Sequence, residues 1–272
     1  MHVWINGSLT PRNQAKIPFD DSAYLYGIGI FETLKTKNGK VLFFDKHWAR
    51  LCKNARTLHL KVPLTKKPFL KTLYKALMKN LLQEATVRVM LSRSETGKPH
   101  LVIWVRPYEP YPAMCYRQGG SLILAKCVKA DELPLAQLKS TSYLTRMLAR
   151  EEAKKRKATE SLLLDRAGFI TEGASSNIFI VKNGKLCTPP LTGALLPGTR
   201  RQVVCELAQK LKIPLIQKQL TPKNLFEADE IFITSSLKDI LPIAKVENKK
   251  IGLTCPGSIT QKLSGAYFHL IF

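Results

Sequence analysis

The run Glu172-Gly173-Ala174-Ser175-Ser176-Asn177-Ile178-Phe179 sets an ionisable carboxylate among strands that read as buried. Ahead of it the apolar stretch Ser161-Leu162-Leu163-Leu164-Asp165 is turned by Ala167-Gly168. Behind it Ile178-Phe179-Ile180-Val181 ends at the hairpin pair Asn183-Gly184. A carboxylate inside such a sheet is costly unless a cation or a protonated ring nitrogen meets it, whereas in a solvated loop it costs nothing. A fold that buries Glu172 must therefore bring it a partner.

Two other segments share this character. Lys139 precedes a predicted helix, Ser142 to Lys157, whose start candidates are Ser140, Thr141 and Ser142. Leu195-Leu196-Pro197-Gly198-Thr199-Arg200-Arg201 opens another helix, with an apolar face at Val203, Val204, Leu207, Ala208 and Leu211. Amides exposed in its first turn, at the positive end of the helix dipole, suit a phosphate. Ser235-Ser236, after the strand Ile231–Thr234, could donate to the same anion or simply cap a turn. An amine, a buried carboxylate and a phosphate cradle are what a pyridoxal phosphate site requires.

The 272 residues are enough for two modest domains, each with its own core. Lys and Arg outnumber Asp and Glu 43 to 20, an excess that can signal nucleic acid. Here it is dispersed, and its densest cluster, Lys154-Lys155-Arg156-Lys157, falls at a predicted helix end, where cations complement the negative terminus. Nucleic acid is not an expected partner. A positive surface would suit an anionic small molecule. Cys52, Cys115, Cys127, Cys187, Cys205 and Cys255 form no Cys-x-x-Cys pair and have no nearby His, so they read as buried free thiols in a reducing compartment, with no metal site. No apolar run approaches membrane length and no leader pattern opens the chain, which reads as a cytoplasmic protein.

Along the chain, Val3–Gly7 reads as a strand with a turn. Phe31–Thr36 and Lys40–Phe44 flank the hairpin pair Asn38-Gly39. Asp45 is the predicted cap of a helix with an apolar stripe at Trp48, Leu51, Cys52, Ala55 and Leu58, from which Arg50 faces away. A helix over Lys67–Leu82 and strands over Thr86–Leu91 and Leu101–Arg106 complete a small α/β unit, residues 1–115. Pro107, Pro110 and Pro112 break regular structure before a larger unit, residues 121–272.

The pattern Glu172, Ala174, Asn177, Ile178, Phe179, Thr188, Leu196, Gly198 and Arg201 resembles the class IV pyridoxal-phosphate enzymes of fold type IV, over nearly the whole chain. The resemblance implies a two-domain α/β (α+β) fold, pyridoxal 5'-phosphate as cofactor and a homodimer with its active site between the domains. It implies that Lys139 carries the cofactor and acts as base and acid, its pKa lowered by burial and neighbouring charge. Glu172 would pair with the ring nitrogen, Leu196 pack on the ring, and Arg50, Ser236 and the first-turn amides of Thr199 and Arg200 hold the phosphate. The family's Gly-Ile-Thr-Arg is Gly198-Thr199-Arg200-Arg201 here, so Arg200 replaces a threonine hydroxyl.

Within that family, Lys139–Leu144, Thr188–Leu191 and Phe232–Ile240 look most like aminodeoxychorismate lyases, which implies conversion of 4-amino-4-deoxychorismate to 4-aminobenzoate and pyruvate in folate synthesis. A D-amino acid transaminase is the alternative, because Arg93–His100 resembles its carboxylate-binding loop, with Lys98 in the arginine's place beside His100. Thr33 stands where branched-chain aminotransferases tend to have Gly, so that activity ranks lower. A basic RNA-binding module without chemistry is opposed by the intact Lys139, Glu172 and Arg50.

Overall fold

In the computed structural model, residues 1–128, 135–192 and 194–271 are described. The chain divides into two compact units, one of Met1–Glu109 with Leu138–Tyr143, the other of Pro110–Gln137 with Leu144–Phe272.

The first unit is a six-stranded antiparallel sheet in the order β2-β1-β6-β5-β3-β4. Its strands are β1 His2–Ile5, β2 Ser8–Pro11, β3 Ile30–Lys37, β4 Lys40–Val41, β5 Ala85–Arg93 and β6 Pro99–Pro107. Three helices accompany them: α1 Ser22–Tyr26, α2 Phe44–Thr57 and α3 Lys66–Lys79. Strand alternation sorts the side chains. Ile30 and Leu34 of β3, Val87, Val89 and Leu91 of β5, and Leu101, Ile103 and Val105 of β6 join Leu51, Phe69, Leu73 and Leu77 of α2 and α3 in one core. Phe31, Thr33, Arg88 and Met90 occupy the opposite face, paired as Phe31 with Met90 and Thr33 with Arg88. The segment Leu138–Tyr143 lies along the head of β3, where Phe31 N–H donates to Lys139 O and Thr141 N–H to Gly29 O, both at 2.8 Å.

The second unit holds a nine-stranded mixed sheet. Its elements are α4 Ala113–Gln118, β7 Gly120–Val128, α5 Leu144–Lys155, β8 Glu160–Leu164, β9 Ile170–Gly173, β10 Asn177–Lys182, β11 Lys185–Thr188, α6 Thr199–Lys210, β12 Leu215–Gln217, α7 Pro222–Phe226, β13 Glu230–Ser235, β14 Asp239–Val246, β15 Lys249–Lys250 and α8 Ser258–Ile271. The order is β12-β11-β10-β13-β14-β7-β8-β9, with β15 on β14. Pairs β14·β7, β7·β8 and β11·β12 are parallel. The near-continuous apolar runs in β8, β10 and β13 fit strands covered on both faces.

Several local expectations need correction. Phe43, in the left-handed region at φ 53°, caps α2, and no side chain caps it; Asp45 lies in the first turn and pairs with Lys66. The strand expected over Lys40–Phe44 stops at Val41, because α2 begins at Phe44. The proline-rich connection contains α4 once Pro112 is passed, since proline suits a helix start. Helix α5 starts at Leu144, two residues late, because Ser140 is held in a bridge to Ile30. A short 3-10 turn, Leu135–Gln137, comes shortly before Lys139. Beyond β13 the chain goes on through β14, β15 and α8. Of the six free cysteines only Cys187 is buried; the others are half-buried. Among the described residues no helix is long and apolar enough to cross a membrane, and no His/Cys/Asp/Glu cluster could hold a metal ion.

Candidate active site

In the second unit, Glu172 sits near the end of β9, paired with Leu163 of β8 in an apolar stretch, and is buried. Its Oε1 accepts from Arg146 Nη2 at 2.6 Å and from the Leu196 amide at 3.0 Å. Arg146 also donates to the carbonyls of Gly173 and Ala174. The carboxylate is therefore met and aimed by a cation and an amide, the compensation its burial demands. Leu196 is fixed on its other side, where Asn177 Nδ2 donates to its carbonyl at 3.0 Å. That bond explains Asn177 in the motif.

Helix α6 begins beside these residues. Gly198 is its N-cap, and no side chain caps the helix. A Cβ at Gly198 would come within 1.8 Å of Asn177 Oδ1, so only glycine lets the helix start approach β10 so closely. The register Asn177 with Thr234 brings the head of β10 beside the tail of β13, after which Ser236 stands in a turn. Glu172, Leu196, Thr199 and Ser236 are thus carried by β9, the α6 approach, α6 itself and the β13–β14 turn, at neighbouring ends of β10 and β13. Arg200 points elsewhere. Its side chain is buried and hydrogen-bonds Tyr267 of α8, whose hydroxyl also donates to Asp239 Oδ1 at 2.7 Å. The residue that departs from the family pattern thus ties α6 to α8 and the head of β14.

In the first unit, Lys139 lies on the face of the sheet that carries Phe31, opposite the core built with α2 and α3. Its Nζ is 4.6 Å from the centre of the Phe31 ring, and the Arg88 guanidinium is 3.4 Å from that centre. Arg88 is aimed by Thr33, whose Oγ1 accepts from Nη1 at 3.1 Å. Tyr143 meets Phe31 edge-on with centroids 5.4 Å apart. Arg50 reaches Glu32, the next residue of β3. Its Nε and Nη2 donate to Oε1 and Oε2 at 2.7 and 2.8 Å, and His47 Nδ1 lies 2.7 Å from Oε2. Burial would raise the Glu32 carboxyl, but the Arg50 and His47 charges and hydrogen bonds outweigh it and hold the group far below its ordinary value. His100 is buried, its Nδ1 2.7 Å from Asp21 Oδ2, while Lys98 is exposed at the β5–β6 hairpin.

Sequence reasoning missed Arg146, Glu32, Phe31, Thr33 and Arg88 as site residues. The signal was present for Glu32, which like Glu172 is a carboxylate inside an apolar strand. Arg146 carried none, since its role follows from how α5 lies on β8.

A two-unit α/β chain with a buried carboxylate bonded at the approach to a helix start, and with an amine over an aromatic ring on a sheet face, has the parts of a cofactor enzyme. Residues 29–246 match the family model "Amino-transferase class IV", and the chain belongs to that family, the class IV pyridoxal-phosphate enzymes that its sequence resembles. A protein of Methanocaldococcus jannaschii named "Putative branched-chain-amino-acid aminotransferase" is 34% identical over 276 residues, 97% of this chain and 94% of that protein. Among solved structures, the branched-chain amino acid aminotransferase of Escherichia coli superposes with a TM-score of 0.93 at 26% identity, covering 99% of this chain and 94% of the other. A "Putative 4-amino-4-deoxychorismate lyase" of Legionella pneumophila superposes with a TM-score of 0.87 at 25% identity, covering 95% and 97%.

Proposed function

We propose that this chain is a pyridoxal-phosphate-dependent 4-amino-4-deoxychorismate lyase that releases 4-aminobenzoate and pyruvate. The observation that carries the reading is Arg88, aimed by Thr33 and stacked on Phe31 beside Lys139. A fixed guanidinium next to the reactive amine suits a carboxylate-bearing ring better than a bare aliphatic side chain. Glycine at position 33 would leave Arg88 without that anchor.

The donor set of the second unit fits the cofactor. Glu172 offers a buried carboxylate for a protonated ring nitrogen, with Leu196 beside it. The first turn of α6 at Gly198–Thr199–Arg200, at the positive end of the helix dipole, and the Ser236 hydroxyl offer donors for a phosphate. In the first unit Arg50, held by Glu32, is the further phosphate ligand in this reading, and Lys139 the attachment point. When bound, the cofactor supplies an electron sink that lets a C–H beside the substrate nitrogen lose its proton. Lys139 Nζ takes that proton from the amine-bearing ring carbon, and Arg88 holds a substrate carboxylate. The ether C–O bond at the adjacent ring carbon then breaks with its electron pair going to oxygen; the enolpyruvate released gains a proton at its methylene carbon to become pyruvate, and the ring is left aromatic.

The second reading is an aminotransferase, favoured by the name of the Methanocaldococcus relative. D-Alanine and branched-chain L-amino acids are its competing donors, and Lys98 and His100 would then take the substrate carboxylate. A homodimer belongs to the proposal too. The first unit exposes Phe19, Tyr24 and Tyr26 at 81%, 76% and 65%, an apolar surface suited to a second copy. The test is turnover of aminodeoxychorismate with and without 2-oxoglutarate. The lyase releases aminobenzoate and pyruvate in equal amounts without an oxo acid. Oxo-acid-dependent turnover of an amino acid, with nothing released from aminodeoxychorismate, would replace it by the aminotransferase.

A further inference from the structure

The second unit buries another ion pair to which the chemistry above gives no role. Lys238, in the turn after Ser236, is 4% exposed, and Glu160, at the head of β8, is 2% exposed. Lys238 Nζ donates to Glu160 Oε2 at 2.9 Å and to Ser175 Oγ at 2.6 Å. The hydroxyls of Ser175 and Ser176 donate to the same Oε2, at 2.6 and 3.2 Å. Lys238 is enclosed by Tyr111, whose ring centre is 5.1 Å from Nζ, and its carbonyl accepts from Tyr116. Every polar atom of the cluster is engaged.

A buried pair of this kind is weak as a source of stability, since desolvation offsets most of the attraction. What the pair joins is more telling. Ser175 and Ser176 form the bend that leaves Glu172, and that bend is closed by Gly173 N–H donating to Ser176 O at 2.7 Å. A Cβ at Gly173 would come within 2.3 Å of Ser176 Oγ, so the bend has little freedom. Lys238 is two residues from Ser236, and its own amide donates to Ser235 Oγ at 3.2 Å. One carboxylate thus grips the bend behind Glu172 from one side and the turn that carries Ser236 from the other.

We infer that Glu160 and Lys238 are positioning residues for the cofactor: their ion pair sets the separation between the carboxylate assigned to the ring nitrogen and the hydroxyl assigned to the phosphate. The inference rests on the roles proposed above for Glu172 and Ser236. It also gives Ser175 and Ser176 of the Glu172 motif a task, as the hydroxyls through which Glu160 acts. Burial would lower the Lys238 amine and raise the Glu160 carboxyl. Their mutual charge outweighs both effects, so the amine stays above and the carboxyl below its ordinary value and the clasp is ionised at neutral pH.

The test compares the wild type with Lys238→Met, Glu160→Gln and the double variant, each as the full chain freed of cofactor and titrated with pyridoxal phosphate. Either single change should weaken binding about tenfold or more, the order that outer-shell partners command in metal sites. The double variant should be no worse than the weaker single, because the two residues act as one device. The 31P resonance of the bound phosphate should shift in all three. The single variants leave one charge buried and should melt earlier without cofactor, whereas the double variant removes both charges and keeps the fold. A double variant with the wild-type dissociation constant and the wild-type 31P shift overturns the clasp, whatever its melting temperature. A wild type that binds no pyridoxal phosphate overturns the underlying reading of the site along with it.

Discussion

The guanidinium of Arg50 lies edge-on against the carboxylate of Glu32, with two parallel hydrogen bonds of 2.7 and 2.8 Å. This places Arg50 by a residue of β3 rather than by its own helix, and it joins α2 to the strand that also carries Phe31.

Replacing Glu32 by Ala should therefore cost far more than a surface change. Arg50 and His47 would be left beside a hole where their anion had been, and removal of one partner from a buried pair costs about 3–5 kcal/mol. Thermal melting of the cofactor-free protein should fall by many degrees, while Arg50→Lys, which keeps the charge and loses the two-point contact, should fall less.

Gly198→Ala tests the helix-start cradle. The added methyl would meet Asn177 Oδ1, so either Asn177 releases the Leu196 carbonyl or α6 shifts away. Both outcomes disturb Leu196 and the first-turn amides, and pyridoxal phosphate affinity should drop by at least about tenfold with a loss of roughly 1–3 kcal/mol in stability. Spectrophotometric titration and denaturant unfolding read the two effects separately.

Tyr267→Phe separates a structural Arg200 from a phosphate-binding one. The Tyr267 hydroxyl serves Arg200 and Asp239, and burial, with Asp239 beside it, drives its pKa well above the ordinary phenol value. Deleting that hydroxyl should cost about 1–3 kcal/mol, because it strips a buried partner from two charged groups. Cofactor affinity should change little if Arg200 contributes only its amide to the phosphate. A stability loss matched by an equal loss of affinity would place the guanidinium on the phosphate.

Asp21 gives a pH dependence. Its carboxylate caps α1 through the amides of Ala23 and Tyr24 and accepts from Ser92 Oγ at 2.6 Å beside His100. Burial would raise its pKa, but these hydrogen bonds outweigh it and hold the group below its ordinary 3.8. A depressed carboxyl contributes stability above its unfolded value and loses it as pH falls through the folded one. Asp21→Asn should therefore melt below the wild type at neutral pH, with the gap closing as pH drops below about 4. Melting curves from about pH 2 to pH 7 check this.

Much of this was legible in the chain. The hairpins at Asn38-Gly39 and Asn183-Gly184, the strands β8, β10 and β13, and the start of α6 at Gly198 follow from apolar runs bounded by glycine or polar turns, which are local signals. Glu172 was legible because a carboxylate in an apolar strand demands an explanation. What the sequence did not disclose depends on contacts distant along the chain. Arg146 meets Glu172 only because α5 lies over β8, and Glu160 meets Lys238 across 78 residues. Arg200 read as a phosphate neighbour from its place after Gly198, and only the position of α8 shows it turned to Tyr267. Arg50 read as facing away from the apolar stripe of α2, but nothing local showed that Glu32 awaits it there.

The central claim is that Lys139, on the Phe31 face, carries the cofactor. The direct measurement is borohydride reduction of the pyridoxal-phosphate-loaded protein, followed by peptide mass mapping. A pyridoxyl group on Lys139, lost in Lys139→Ala, is the predicted result. A label on another lysine, or none after incubation with excess cofactor, would contradict the account.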